Sequence, residues 1–245
     1  MNFVLLRGLI RHSRHWGDFI SSFQQAFPRS TILTPDLPGL GQEKNARTPV
    51  TIEENVEFLK DSLSSTLDYG EWVVVGLSLG GMVAAKWCEI EPDVFSKAVL
   101  MNPSSNLSPF WHRLNPKALP IFIRCFLTQD VALREKRILA LTSNCNSGNE
   151  ELIKSWVNIA AIDDITRSTF LRQMAAARAF RIKQFKTPCL VLSSDNDGIV
   201  SPQCSRKIAN FLGAELYSHP QAGHDLAIDA PQWTLDKISD FLAKP

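Results

Sequence analysis

No apolar run in the 245 residues approaches the ~18 needed to cross a membrane, and the one at the N terminus, Phe3-Val4-Leu5-Leu6, stops at Arg7. A signal-peptide core would be longer, so the expected location is cytoplasmic. Cysteine is sparse: Cys88, Cys125, Cys145, Cys189 and Cys204 are odd in number and scattered, with no C-x-x-C pair and no histidine at metal-ligand spacing. That pattern excludes a disulfide framework and a zinc site, and it fits a reducing compartment. Charge of one sign is also lacking, since 26 Lys+Arg face 25 Asp+Glu and the net charge is +1. Taken over its whole length, the chain is not built for a polyanion such as nucleic acid. Blocks of like charge, internal repeats and low-complexity tracts are missing too.

What is present is an ordinary globular composition, 44% hydrophobic and 21% charged, with 14 Phe and 6 Trp. A chain of this length hides roughly 75% of its extended surface on folding and needs no staple. Short, often β-branched runs occur at Phe3–Leu6, Thr31–Leu33, Trp72–Val75, Ala98–Met101, Cys189–Leu192 and Glu215–Tyr217, mostly followed by Gly, Pro, Asn or Asp. They read as strands buried on both faces. Helical patterns alternate with them at Ile52–Leu67, Met82–Glu89, Ser205–Phe211 and Trp233–Leu242. Strand and helix taking turns predicts an α/β fold with a mostly parallel sheet of about six strands.

The alternation breaks between about Asn106 and Lys186, where helical patterns at Lys117–Leu127, Ala132–Leu141, Glu150–Ala161 and Thr166–Ala179 follow one another with no convincing strand. The expected organisation is a core of residues 1–105 and 187–245 with a helical cap, 106–186, inserted in it. Loops at the carboxyl end of a parallel sheet build binding sites, so the cap should cover one.

The strongest chemical signal is Gly76-Leu77-Ser78-Leu79-Gly80-Gly81, directly after Trp72–Val75 and directly before a helical run. G-x-S-x-G between a strand and a helix is a nucleophile elbow, in which small neighbours let a serine occupy a strained turn. The Leu79 N–H at the start of that helix would face the reacting oxygen as one half of an oxyanion hole. A serine hydroxyl needs a base to take its proton and a carboxylate to orient that base. Of His12, His15, His112, His219 and His224, His224 is the preferred base, because Gln221-Ala222-Gly223-His224-Asp225 is a turn-forming segment after the last strand and the chain order is serine, acid, histidine. The segment Ser193-Ser194-Asp195-Asn196-Asp197-Gly198 offers two acids. Asp197 is preferred because it lies past the strand end beside a flexible Asp-Gly step, while Asp195 suits an Asx turn. No metal-ligand cluster occurs and no G-x-G-x-x-G opens a helix, so no cofactor is expected.

These residues carry a resemblance. Through Leu5-Leu6-Arg7-Gly8, Trp16, Asp36-Leu37-Pro38-Gly39-Leu40-Gly41, Gly76–Gly80, Asp197-Gly198-Ile199-Val200 and Gly223-His224, in that order, the chain resembles the α/β-hydrolase superfamily. It is most similar to the small capped carboxylesterase-like members, among them biotin-precursor methyl esterases. The resemblance implies a serine hydrolase acting on a carboxylic ester or thioester, with Ser78 as nucleophile, His224 as base, Asp197 as orienting acid, and Leu9 and Leu79 donating oxyanion N–H groups. It also implies that the first two edge strands of the family sheet are missing. Arg7 stands where the family usually has His, either as an ion-pair partner or as a contact to substrate. Serine at the elbow, where related dehalogenases and epoxide hydrolases have Asp, argues for acyl transfer. A C–C bond hydrolase or lyase using the same triad, or a non-catalytic ligand-binding member of the fold, are the alternatives.

Residues 105–186 contain 13 basic and 6 acidic residues, a surplus of seven, while the remainder has 13 against 19, a deficit of six. A basic cap on an acidic base could steer an anionic substrate or an acyl carrier protein to the site, with Arg134, Arg137, Arg172 and Arg178 the residues to test, although a solvated helix face has the same look. From the aromatic and Met side chains of the cap, Trp111, Phe126 and Trp156 are expected to contact substrate.

Overall fold

The computed structural model describes residues 1–67, 70–163 and 165–244; Asp164, one of the acidic residues counted in the cap, lies outside them. Six strands, β1 (Asn2–Leu6), β2 (Ile32–Leu33), β3 (Trp72–Leu77), β4 (Lys97–Met101), β5 (Cys189–Ser194) and β6 (Glu215–His219), form one sheet in the order β2-β1-β3-β4-β5-β6. Every pairing among the described residues is parallel. All six strands fall on the runs read from the sequence.

Successive side chains of a strand point to opposite faces, and here both faces are covered. Val4, Leu6, Val74, Ala98, Leu100 and Val191 face one core, shared with α2 (Ile52–Leu67), α3 (Leu79–Ile90) and α9 (Pro202–Leu212). Phe3, Leu5, Val73, Val75, Val99, Met101 and Leu192 face the other, which is closed by α1 (Phe19–Ala26), the short α10 (Leu226–Asp229) and α11 (Pro231–Leu242). This double covering explains why β3 reads as an unbroken Val run instead of an alternation.

Between β4 and β5 the chain forms a short helix α4 (Phe110–Arg113), then α5 (Leu119–Leu127), α6 (Val131–Thr142), α7 (Glu150–Ile162) and α8 (Arg167–Ala179). Three of these start on a side-chain cap: Asp130 accepts from Leu133 N, Asn149 from Leu152 N and Thr166 from Thr169 N. Each such cap is worth about 1 kcal/mol of helix stability. The segment docks onto the core by specific bonds, among them Ile10 N to Gln173 Oε1 at 2.8 Å and Asn115 N to Ile199 O at 2.7 Å. None of the helices among the described residues is long and apolar enough to cross a membrane.

Candidate active site

The carboxyl ends of β1, β3, β4, β5 and β6 converge on Ser78. This residue has φ 56° and ψ −113°, a conformation that side chains rarely adopt and that stores about 1–3 kcal/mol of strain. The surroundings dictate its glycine neighbours. A Cβ on Gly76 would lie 2.3 Å from Gly80 O, and one on Gly80 would lie 2.2 Å from Leu6 O. The tight crossing of β3, α3 and the end of β1 therefore leaves no space for side chains at either position. A Cβ on Gly8 would meet the Ser78 Cβ at 3.3 Å, so the backbone after β1 passes directly over the serine. That brings Leu9 to it, and Leu79 is already there as the first residue of α3. Neither the Leu9 nor the Leu79 N–H has an acceptor among the described residues. Two unpaired donors beside a hydroxyl suit an oxygen that gathers negative charge.

His224 follows β6 in a buried loop, and its Nδ1 lies 2.6 Å from Asp197 Oδ2. Asp197 is oriented by its other oxygen, which accepts from Ile199 N at 2.7 Å and Val200 N at 2.9 Å. Asp195 points elsewhere, accepting from Ser218 Oγ at 2.6 Å on the surface. Burial alone would lower the His224 pKa, but the charge and hydrogen bond of Asp197, with a contribution from Asp225, raise it above the ordinary histidine value against the opposing charge of Arg7. His224 and Ser78 line the same small cavity, together with Leu9.

Three residues that hold this loop in place went unassigned in the sequence. Asn102, itself at φ 46°, donates through Nδ2 to the His224 carbonyl at 2.8 Å and to Ser194 Oγ at 3.1 Å, while its Oδ1 accepts from Ser194 N at 2.8 Å. Asp229 accepts from Gly223 N and from Asn144 N, both at 2.7 Å, and from Ser143 Oγ. It therefore joins the histidine loop to the chain just after α6. Asp225 takes both ends of the Arg7 guanidinium, at 2.6 and 3.2 Å. Of the two roles open to Arg7, the structure gives the ion pair, with the guanidinium also lying 4.6 Å from the centroid of the Trp16 ring. The local signal for Asn102 and Arg7 was their place at a strand's carboxyl end; their partners lie 92 to 218 positions away and carry no local signal.

The expected substrate aromatics fall in three different places. Trp111 is 62% exposed at the outer surface and lines none of the cavities around Ser78. Trp156 is 2% exposed and packs in the interior of the helical segment under the Arg11 guanidinium, 4.2 Å from its ring centroid. Phe126 lines a neighbouring cavity of about 320 Å³ that does not reach Ser78. The aromatic and Met side chains that do flank Ser78 are Phe110, Phe122, Met82 and Met174. Among the described residues no group of His, Cys, Asp or Glu could hold a metal ion.

A fold with its polar residues gathered at the carboxyl end of a parallel sheet, around a serine on a strained turn, defines a class of hydrolase. The chain belongs to the family described as the alpha/beta hydrolase fold, whose family model matches residues 2–231. It is 24% identical over 241 residues to the uncharacterized hydrolase YugF of Bacillus subtilis, covering 90% of this chain and 85% of that protein. It is 22% identical to the biotin biosynthesis bifunctional protein BioHC of Teredinibacter turnerae, over 98% of this chain but only 44% of that longer protein. Among solved structures, the enol-lactonase of Burkholderia xenovorans superposes with a TM-score of 0.78 at 18% identity, covering 99% of this chain and 91% of the other.

Proposed function

We propose that this hydrolase cleaves a carboxylic ester or thioester through an acyl-enzyme on Ser78. The observation that supports this most is the position of the strained Ser78, which lines one small cavity with His224, itself paired with Asp197, and a second with Leu9 and Leu79, whose N–H groups are unpaired. His224 takes the Ser78 proton as the hydroxyl attacks the carbonyl carbon, and the new oxyanion receives the Leu9 and Leu79 N–H groups. The imidazolium, steadied by Asp197, then gives its proton to the departing alcohol or thiol. Water repeats the sequence on the acyl-enzyme and frees the acid. General base catalysis of this kind is worth about 10²–10⁴ in rate, and each oxyanion donor about 10²–10³.

The helical segment 106–186 acts as a cap over this site, since Phe110, Phe122 and Met174 supply one wall of it. Its basic surplus offers less to an acidic carrier than the count suggests. Arg134 pairs with Glu135 and Arg172 donates to the Thr48 carbonyl, while Arg178 remains exposed.

The test is a fluorophosphonate probe together with p-nitrophenyl esters of increasing chain length, on the wild type and Ser78→Ala. Labelling should vanish and turnover fall on the order of 10⁴-fold or more in the variant. Retained labelling or turnover would refute the assignment of Ser78.

A further inference from the structure

The two oxyanion donors are not held in the same way. Leu79 N–H is fixed by the elbow itself, one residue after Ser78 at the start of α3. Leu9, which lines both small spaces beside Ser78, belongs to the turn Gly8-Leu9-Ile10-Arg11, closed by one bond of its own, Arg11 N to Gly8 O at 3.2 Å. The third residue of that turn, Ile10, stands at φ 50°, a left-handed conformation that suits glycine and that a β-branched side chain adopts only under restraint from outside. The restraint comes from the helical segment. Gln173 of α8 accepts from Ile10 N at 2.8 Å through Oε1, and the Ile10 side chain packs against the cluster of Cys125, Ile138 and Trp156. On the carbonyl side, Arg11 Nη1 reaches Ile10 O at 3.4 Å, and Arg11 is itself held by Glu135 of α6 at 2.9 Å.

Gln173 is 1% exposed, and its Nε2 has no partner among the described residues. A buried amide left half unsatisfied costs stability, so packing alone would favour an apolar residue here. The acceptor oxygen is the half in use. If Ile10 relaxed to an ordinary φ, the Leu9–Ile10 peptide would turn over and its N–H would leave Oε1. The neighbouring peptide, which carries the Leu9 N–H, pivots on the same Cα. Resting on the proposed roles of Ser78 and Leu9, we infer that Gln173 is a positioning residue. From the inserted segment it holds the Leu9 N–H on the developing oxyanion, so the oxyanion hole is completed by the cap and not by the core alone.

An alkyl trifluoromethyl ketone tests this apart from turnover. Ser78 Oγ bonds to its carbonyl carbon, the C=O π pair becomes an oxyanion, and the serine proton passes to His224, so its affinity reports the assembled oxyanion hole. Gln173→Met keeps the length of the side chain and Gln173→Leu changes its shape. Both remove the amide, and two replacements allow for one that fails to fold. Per active site titrated with the fluorophosphonate, kcat on p-nitrophenyl acetate should fall about 10–100-fold, with KM within about threefold and the acid limb of the pH profile unmoved. Ki for the ketone should weaken by a similar factor. Wild-type kcat and Ki in a folded variant would overturn the inference. So would a lower kcat with an unchanged Ki, the result expected if Gln173 only fastens the cap. Absence of both Ser78-dependent turnover and ketone inhibition in the wild type would instead remove the reading beneath, and the inference with it.

Discussion

Replacing Arg7 by Met removes one half of a buried ion pair and leaves the other half behind. Asp225, with 6% of its side chain accessible, would lose its buried partner, and the Arg7 side chain is itself only 3% accessible. A charge stranded in this way costs about 3–5 kcal/mol, far more than the small net value of the intact pair, because the desolvation of Asp225 is no longer offset. For a domain of this size each kcal/mol lowers Tm by ~2–4 °C, so Arg7→Met should melt about 6–20 °C below the wild type. Removing the charge from both sides, as Arg7→Met with Asp225→Leu, should restore all but ~2 kcal/mol, the residue being the lost stacking on Trp16 and imperfect packing. Urea unfolding at neutral pH, followed by far-UV circular dichroism with equal m-values, supplies the double-mutant cycle. A double variant as unstable as the sum of the two singles would refute the reasoning, since the pair would then be two independent contacts.

The raised pKa of His224 makes both stability and activity depend on pH. The folded state holds this proton more tightly than the unfolded chain, whose histidines titrate near ~6.5, so the stabilisation is complete below ~6.5 and is lost as pH rises through the higher folded value. Asp197→Asn should therefore destabilise more at about pH 5.5 than at about pH 9, and equal losses at the two values would count against the pairing. In the wild type the acid limb of kcat/KM should lie above ~6.5, because the base must be neutral, and the same variant should move that limb down. Gly80→Ala would drive a Cβ against Leu6 O at 2.2 Å and Arg7 O at 2.6 Å. It should lose ~1–3 kcal/mol or more in thermal melts, and kcat should fall further than KM changes because the turn carrying Leu9 is displaced; an active, wild-type-stable Gly80→Ala would argue against the tight crossing.

The strands were legible because each is buried on both faces and bounded by turn residues, as in Trp72–Val75 before Gly76. Helix α2 was legible to the residue, Ile52 to Leu67, because its apolar positions repeat with helical period. Helix α1 carries no comparable signal, being a two-turn helix whose Asp18 makes no side-chain cap bond. The elbow serine and the Gly-His and Asp-Gly turns are visible locally because backbone strain and turn chemistry restrict the residue types allowed there. Which aromatic faces the serine is not a local property: Phe122 and Trp156 both sit on helices of the inserted segment, but one lines the space beside Ser78 and the other is sealed beneath Arg11. Asn102 and Asp229 are ordinary polar residues until the fold brings the histidine loop against them.

Asp229 grips two strips of chain with one carboxylate, the loop bearing His224 and the turn after α6. Any outward swing of the helical segment that broke the Asn144 contact would slacken the restraint on the base in the same motion. One carboxylate thus couples the seating of the helical segment to the seating of the histidine loop, alongside the Asp197 and Asn102 contacts that hold His224 itself.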